Sequence, residues 1–104
     1  MQTIAMKYTL ESTWQYDKWF RKLKDCSSKI KILARLSRVE NGNFWDFKQL
    51  GSNLYELRLF FGPGLKIYYT IRDGRIVLLL AGGDKSSQQQ DIQKAEVLLE
   101  EMED

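Results

Sequence analysis

The chemistry open to this chain must come from cations, tyrosines and carboxylates, because it has no histidine and a single cysteine. Histidine-based triads and Cys/His zinc sites are thereby excluded, and the acids show no metal-binding loop. A hydrolase made of Lys, Arg, Tyr and Glu still suits RNA, whose own 2′-hydroxyl can attack the adjacent phosphate. The protein must then orient that attack, stabilise the extra charge on phosphorus and protonate the leaving oxygen. Glu56 and Arg58 share one face of an alternating segment, and Lys66, Tyr68 and Thr70 share one face of the next. A turn centred on Pro63 sets Arg58 opposite Tyr68 and Glu56 opposite Thr70. Lys85 and Gln88 arrive nearby, where a strand ends and a helix begins, and free helix N–H groups attract phosphate. Cations for phosphate and an aromatic face for a base suit RNA.

Each of these residues has a plainer reading. Arg58 and Glu56 also fit a solvated face with a weak exposed salt bridge. Tyr68 and Tyr69 fit packing, and Lys85 fits a surface lysine beside a helix cap. Lys31, Arg35 and Arg38 form a basic stripe that suits RNA or simply the wet side of a helix. Cys26 has no histidine to activate it and reads as inert.

The elements that must position these groups follow from periodicity. Residues 3–10 read as a strand with Ile4, Met6 and Tyr8 on one face. Ser12, with Gln15 three positions on, makes a capping box before a helix whose Tyr16, Trp19, Phe20 and Leu23 share a face. The segment 25–28 supplies a second cap, and a helix over about 29–40 stops at Asn41-Gly42. The pair reads as an antiparallel helical hairpin. Residues 43–53 read as a loop with Phe44, Trp45 and Phe47 tucked against the core. Residues 54–61 and 65–72 alternate as strands, Asp73-Gly74 is a two-residue hairpin turn, and 75–81 is a central strand apolar on both sides. Gly82-Gly83 ends it. Ser86 with Gln89 suggests a capping box for a last helix that buries Ile92, Ala95, Leu99 and Met102. The expected class is α+β: an antiparallel sheet with an N-terminal helical hairpin and a C-terminal helix, in the order β-α-α-β-β-β-α, the helices mainly on one face.

The chain's 104 residues make one domain, 1–104, and 43% hydrophobic content is enough for a core. No apolar run reaches the roughly 20 residues that span a bilayer, and the N-terminal residues lack a secretory pattern. A soluble, cytoplasmic protein without membrane contact is expected. The net charge of +2 hides an imbalance: residues 1–90 hold 15 Lys/Arg against 8 Asp/Glu, and residues 91–104 hold one Lys against six acids. A basic body with an acidic tail favours a polyanionic partner, although the same bias occurs in ordinary soluble proteins.

The run ELRLFFGPGLKIYYTIRDGRIVLLLAGGDKSSQQQDIQKA, residues 56–95, resembles the phage-derived, HigB-like killer proteins of the RelE/ParE toxin superfamily. WFRKLKD at 19–25 and Gly42 with Lys48-Gln49-Leu50-Gly51 fit the same pattern. The resemblance implies a RelE-like fold and the toxin of a type II toxin–antitoxin system. Its implied activity is ribosome-dependent cleavage of translated mRNA, hence translation inhibition, by an RNA-binding hydrolase that needs no cofactor or metal. It implies that Arg58 and Lys66 bind and polarise the scissile phosphate, that Lys85 stabilises charge or protonates the leaving oxygen, and that Tyr68 or Gln88 holds a base. Lys31, Arg35 and Arg38 would extend RNA contact. Implied partners are the ribosome, mRNA and a cognate antitoxin of helix-turn-helix type. Glu56 stands where some RelE relatives carry a catalytic lysine, and the histidine or C-terminal tyrosine of certain active relatives is absent. The general base therefore stays open, with Glu56 a candidate. Two alternatives are a ParE-like inhibitor of DNA gyrase without catalysis, which would lack the basic cluster, and an interaction module without toxicity.

Overall fold

β-Branched and aromatic residues concentrate between positions 54 and 83, and there most of the sheet forms. A computed structural model describes residues 7–102. Ile4 and Met6, expected on the first strand, lie outside the described residues, as do Glu103 and Asp104 of the acidic tail. The elements are β1 (Thr9–Ser12), α1 (Trp14–Lys22), α2 (Cys26–Glu40), β2 (Phe47–Gln49), β3 (Tyr55–Arg58), β4 (Lys66–Arg72), β5 (Ile76–Gly83), a 3₁₀ turn (Lys85–Ser87) and α3 (Gln88–Met102). The α+β class, the two N-terminal helices and the C-terminal helix are as the periodicity requires.

The sheet order is β1-β5-β4-β3-β2. The strands from β2 to β5 pair antiparallel, while β1 pairs parallel with β5, Thr9 opposite Ile76 and Ser12 opposite Leu79. The expected loop at 43–53 contains the short edge strand β2. Asp73 and Gly74 both have positive φ, 55° and 68°, as a type I′ hairpin turn requires.

The helices take both faces of the sheet instead of mainly one. Tyr16 of α1 and Ile32, Leu36 and Val39 of α2 pack on Leu57, Ile67, Tyr69, Val77 and Leu79. Ala95 and Leu98 of α3 pack on the opposite face, against Leu54, Tyr68, Leu78, Leu80 and Ala81. Ile32, Ile67 and Leu80 are fully buried, and such burial is worth about 1.5–3 kcal/mol per side chain.

The helix starts are one to three residues from the expected caps. Thr13 rather than Ser12 caps α1, accepting from the Tyr16 N–H, and its hydroxyl donates to the Leu80 carbonyl at 2.8 Å. Asp25 caps α2, and Asp84 rather than Ser86 caps the turn before α3, accepting from the Ser86 N–H at 2.8 Å. A bulge between β4 and β5 sets Tyr68 against Ala81 and Tyr69 against Leu79, leaving Leu80 as the extra residue. Beyond it both layers close on β5. A Cβ on Gly82 would collide with the Trp19 ring of α1, and one on Gly83 with the Asp91 carboxylate of α3.

Candidate functional site

The loop from Phe60 to Gly64 joins β3 to β4, and the Leu59 N–H donates to the Leu65 carbonyl where the strands part. Gly62 and Gly64 both take positive φ, 61° and 79°, so the turn centres on Gly62 rather than Pro63. The register therefore moves by two from the expected one. Arg58 faces Lys66, and Glu56 faces Tyr68. Cross-strand partners share a face, which brings two cations together at the open end of the sheet.

Glu56 lies beneath them, with a side chain 2% exposed. Its Oε2 is 3.5 Å from Lys66 Nζ and 4.0 Å from Arg58 Nε, and its Oε1 accepts from Gln88 Nε2 at 3.2 Å. Arg58 is also 3.4 Å from the Asp46 carboxylate through Nη2, while its Nε is buried without a hydrogen-bond partner among the described residues. The bare face of Gly64 lets the Lys85 stem lie across the turn, since a Cβ there would come within 3.1 Å of Lys85 Cε. Arg58, Lys66 and Lys85 thus line one open cleft of about 640 Å³. A larger groove, about 810 Å³, runs between α1 and the start of α3 and contains none of these three cations.

Other expected site residues fall elsewhere. Tyr68 is fully buried under α3, so it offers no face to a base. Burial, with Glu56 and Asp91 nearby, pushes its phenol pKa up, and its hydroxyl lacks a hydrogen-bond partner among the described residues. Gln88 is half-buried and spends its amide on Glu56, which makes it a positioning group. Arg35 is not on the wet side of its helix. It is 6% exposed, and its Nη2 donates to the carbonyls of Phe44 at 2.8 Å and Asp46 at 3.1 Å. Burial lowers its pKa from the ordinary arginine value, and Asp46 opposes that shift. Lys31 and Arg38 are exposed, and Lys31 Nζ lies 5.2 Å from the Phe61 ring.

Lys31, Arg35, Arg38 and Arg58 share a shallow cleft of about 200 Å³, so the helix stripe and the strand site meet at Arg58. Asp46 was missed by sequence reasoning, because its link to Arg58 depends on where β2 docks. Trp45 and Phe47 are exposed instead of tucked against the core, and only Phe44 of the three turns inward, packing on Tyr8 and Tyr69. Alternation along 44–47 fits this arrangement, since Trp45 and Phe47 share the outer face and Phe44 lies on the inner one.

The fold is RelE-like. A double mutant of the Escherichia coli toxin RelE in its free state superposes with a TM-score of 0.67 at 19% identity, covering 86% of this chain and 98% of that one. The intact Escherichia coli RelBE toxin–antitoxin complex matches with a TM-score of 0.62 at 22% identity, covering 74% and 95%. An uncharacterized protein of Haemophilus influenzae is 40% identical over 97 residues, 93% of this chain and 98% of its own length, and the chain belongs to one family with it. No family model matches the chain.

Proposed function

We propose that this chain is the toxin of a type II toxin–antitoxin pair, of the HigB-like branch of the RelE/ParE superfamily, and that it cleaves translated mRNA at the ribosome. The observation that carries the reading is the convergence of Arg58, Lys66 and Lys85 on one cleft at the open end of the sheet. The RelE-like fold supports it, as does the toxin–antitoxin complex among the structural neighbours. That complex also favours a cognate antitoxin as partner, here of helix-turn-helix type, and a cytoplasmic site of action follows from the ribosomal substrate.

In this reading the 2′-hydroxyl gives up its proton to solvent and attacks phosphorus, the P–O5′ bond breaks to leave a 2′,3′-cyclic phosphate, and Arg58 and Lys66 take up charge on the non-bridging oxygens. Lys85, across the cleft, donates a proton to the departing 5′-oxygen. Glu56 is a positioning residue rather than the general base. It is sealed from solvent, one oxygen is held by Gln88, and the other faces Lys66 and Arg58. Tyr68 has no part in base recognition.

The test is brief expression followed by mapping of transcript ends. Ribosome-dependent cuts are expected from the native chain and should fall roughly 10²–10³-fold in Arg58→Ala and Lys85→Ala. Intact messages together with gyrase-linked DNA breaks would overturn the reading in favour of a non-catalytic gyrase inhibitor.

A further inference from the structure

Trp45 and Phe60 are 67% and 70% exposed, and their rings meet edge to face at 5.8 Å. Hydrophobic burial does not explain this, because the same loop turns Phe44 inward. Trp45 has a φ of 50°, an uncommon conformation for a bulky residue. Arg35 holds it there, donating to the carbonyls on either side of Trp45 and placing its guanidinium carbon 5.4 Å from the indole centroid. A buried arginine thus fixes an exposed aromatic.

Charge indicates what that surface accepts. Lys31, Arg35, Arg38 and Arg58 surround the two rings in one shallow cleft. Asp46, the adjoining carboxylate, is already paired with Arg58. Arg58 also lines the phosphate cleft, so the two surfaces are continuous. Aromatic faces among cations match single-stranded nucleic acid, with π-faces for bases and positive charge along the backbone. An acidic protein segment would satisfy the cations but gives no account of a continuous path into the phosphate cleft.

We propose that Trp45 and Phe60 form a stacking platform for one unpaired base of single-stranded RNA, with Lys31 and Arg38 holding the phosphates beside it. Phe60 and Arg58 line both clefts, so the platform adjoins the phosphate cleft and sets the register in which the strand enters it. The inference rests on the ribonuclease reading and adds a nucleotide subsite to it.

The experiment measures binding of a short, fluorescein-labelled 2′-O-methyl oligoribonucleotide to the purified full chain by anisotropy. This probe has no free 2′-hydroxyl and cannot be cut. Trp45→Ala and Phe60→Ala should each weaken binding by about tenfold, Trp45→Phe should retain most of it, and Trp14→Ala, an exposed tryptophan elsewhere, should leave it unchanged. Circular dichroism checks that each variant folds, and Phe60→Ala and Trp45→Phe carry the test if Trp45→Ala does not fold. Native affinity in both Trp45→Ala and Phe60→Ala, with loss in Arg58→Ala, overturns the platform and leaves the cleft reading standing. Loss of antitoxin binding in Trp45→Ala with RNA binding intact makes the surface a protein interface and overturns the platform. No binding by the native chain overturns the platform, while the cleft reading is decided separately by the ribosome-dependent cuts.

Discussion

The two faces of the sheet are built on different terms. Beneath α1 and α2 the contacts with the sheet are mainly apolar and aromatic, from Ile32 and Leu36 to Leu57, Ile67 and Val77, and the buried polar residues of α2, Ser28 and Arg35, lie among them. Beneath α3 the same strands bury Glu56, Tyr68 and Thr70, and α3 contributes the buried Asp91. Buried polar groups cost stability unless they are paired. Tyr68 Oη and Arg58 Nε on this side lack hydrogen-bond partners among the described residues, as do Tyr16 Oη and Arg35 Nη1 on the other, so the contrast lies in the buried carboxylates Glu56 and Asp91. The first face holds the fold together, whereas the second gives up stability to aim charge at an open cleft.

Four substitutions sharpen or break that contrast. Ile67→Ala, on the first face, should have the largest effect, a loss of about 2–5 kcal/mol by urea denaturation. Transcript cutting should survive in whatever fraction stays folded. Glu56→Gln, on the second face, should cost about 1–3 kcal/mol and also lower cleavage, since the charge that holds Lys66 and Arg58 is gone. Cleavage unchanged in Glu56→Gln would sink its positioning role. Tyr68→Phe removes a buried, unpaired hydroxyl and should leave stability within about 1 kcal/mol of native, or raise it, with cleavage untouched. A large loss of cutting would return Tyr68 to the site. Asp84→Asn keeps a capping side chain but removes its titration. The Asp84 pKa is lowered, chiefly by the Ser86 hydroxyl, so its carboxylate contributes stability above its ordinary pKa and loses it as pH falls through the lowered one. The advantage of the native chain over Asp84→Asn should therefore be small at neutral pH and vanish in acid, as read from denaturation midpoints.

What the sequence disclosed is what neighbouring residues decide. Alternation at 55–58 and 66–71, the Asp73-Gly74 turn, the end of α2 at Asn41-Gly42 and the apolar central strand all follow from local pattern. The three cleft cations were legible too, through their type and their places on β3, β4 and the turn after β5. Long-range choices were hidden. The parallel pairing of β1, the move of α3 to the second face and the docking of Asp46 beside Arg58 depend on contacts between distant segments. The register slipped by two because glycines at 62 and 64 recentre the loop. Arg35 was misplaced because a guanidinium on a polar stripe gives no sign that two carbonyls wait for it nine and eleven positions away.

β5 lies between β1, from the start of the chain, and β4, the strand just before it in sequence. Thr13 reaches the Leu79 carbonyl across 66 positions, so a ribosome must have released most of the protein before its first strand can dock. Closing so long a loop is slow relative to forming the β4–β5 hairpin. Until it closes, one edge of β5 offers its backbone hydrogen bonds to any extended strand that arrives first.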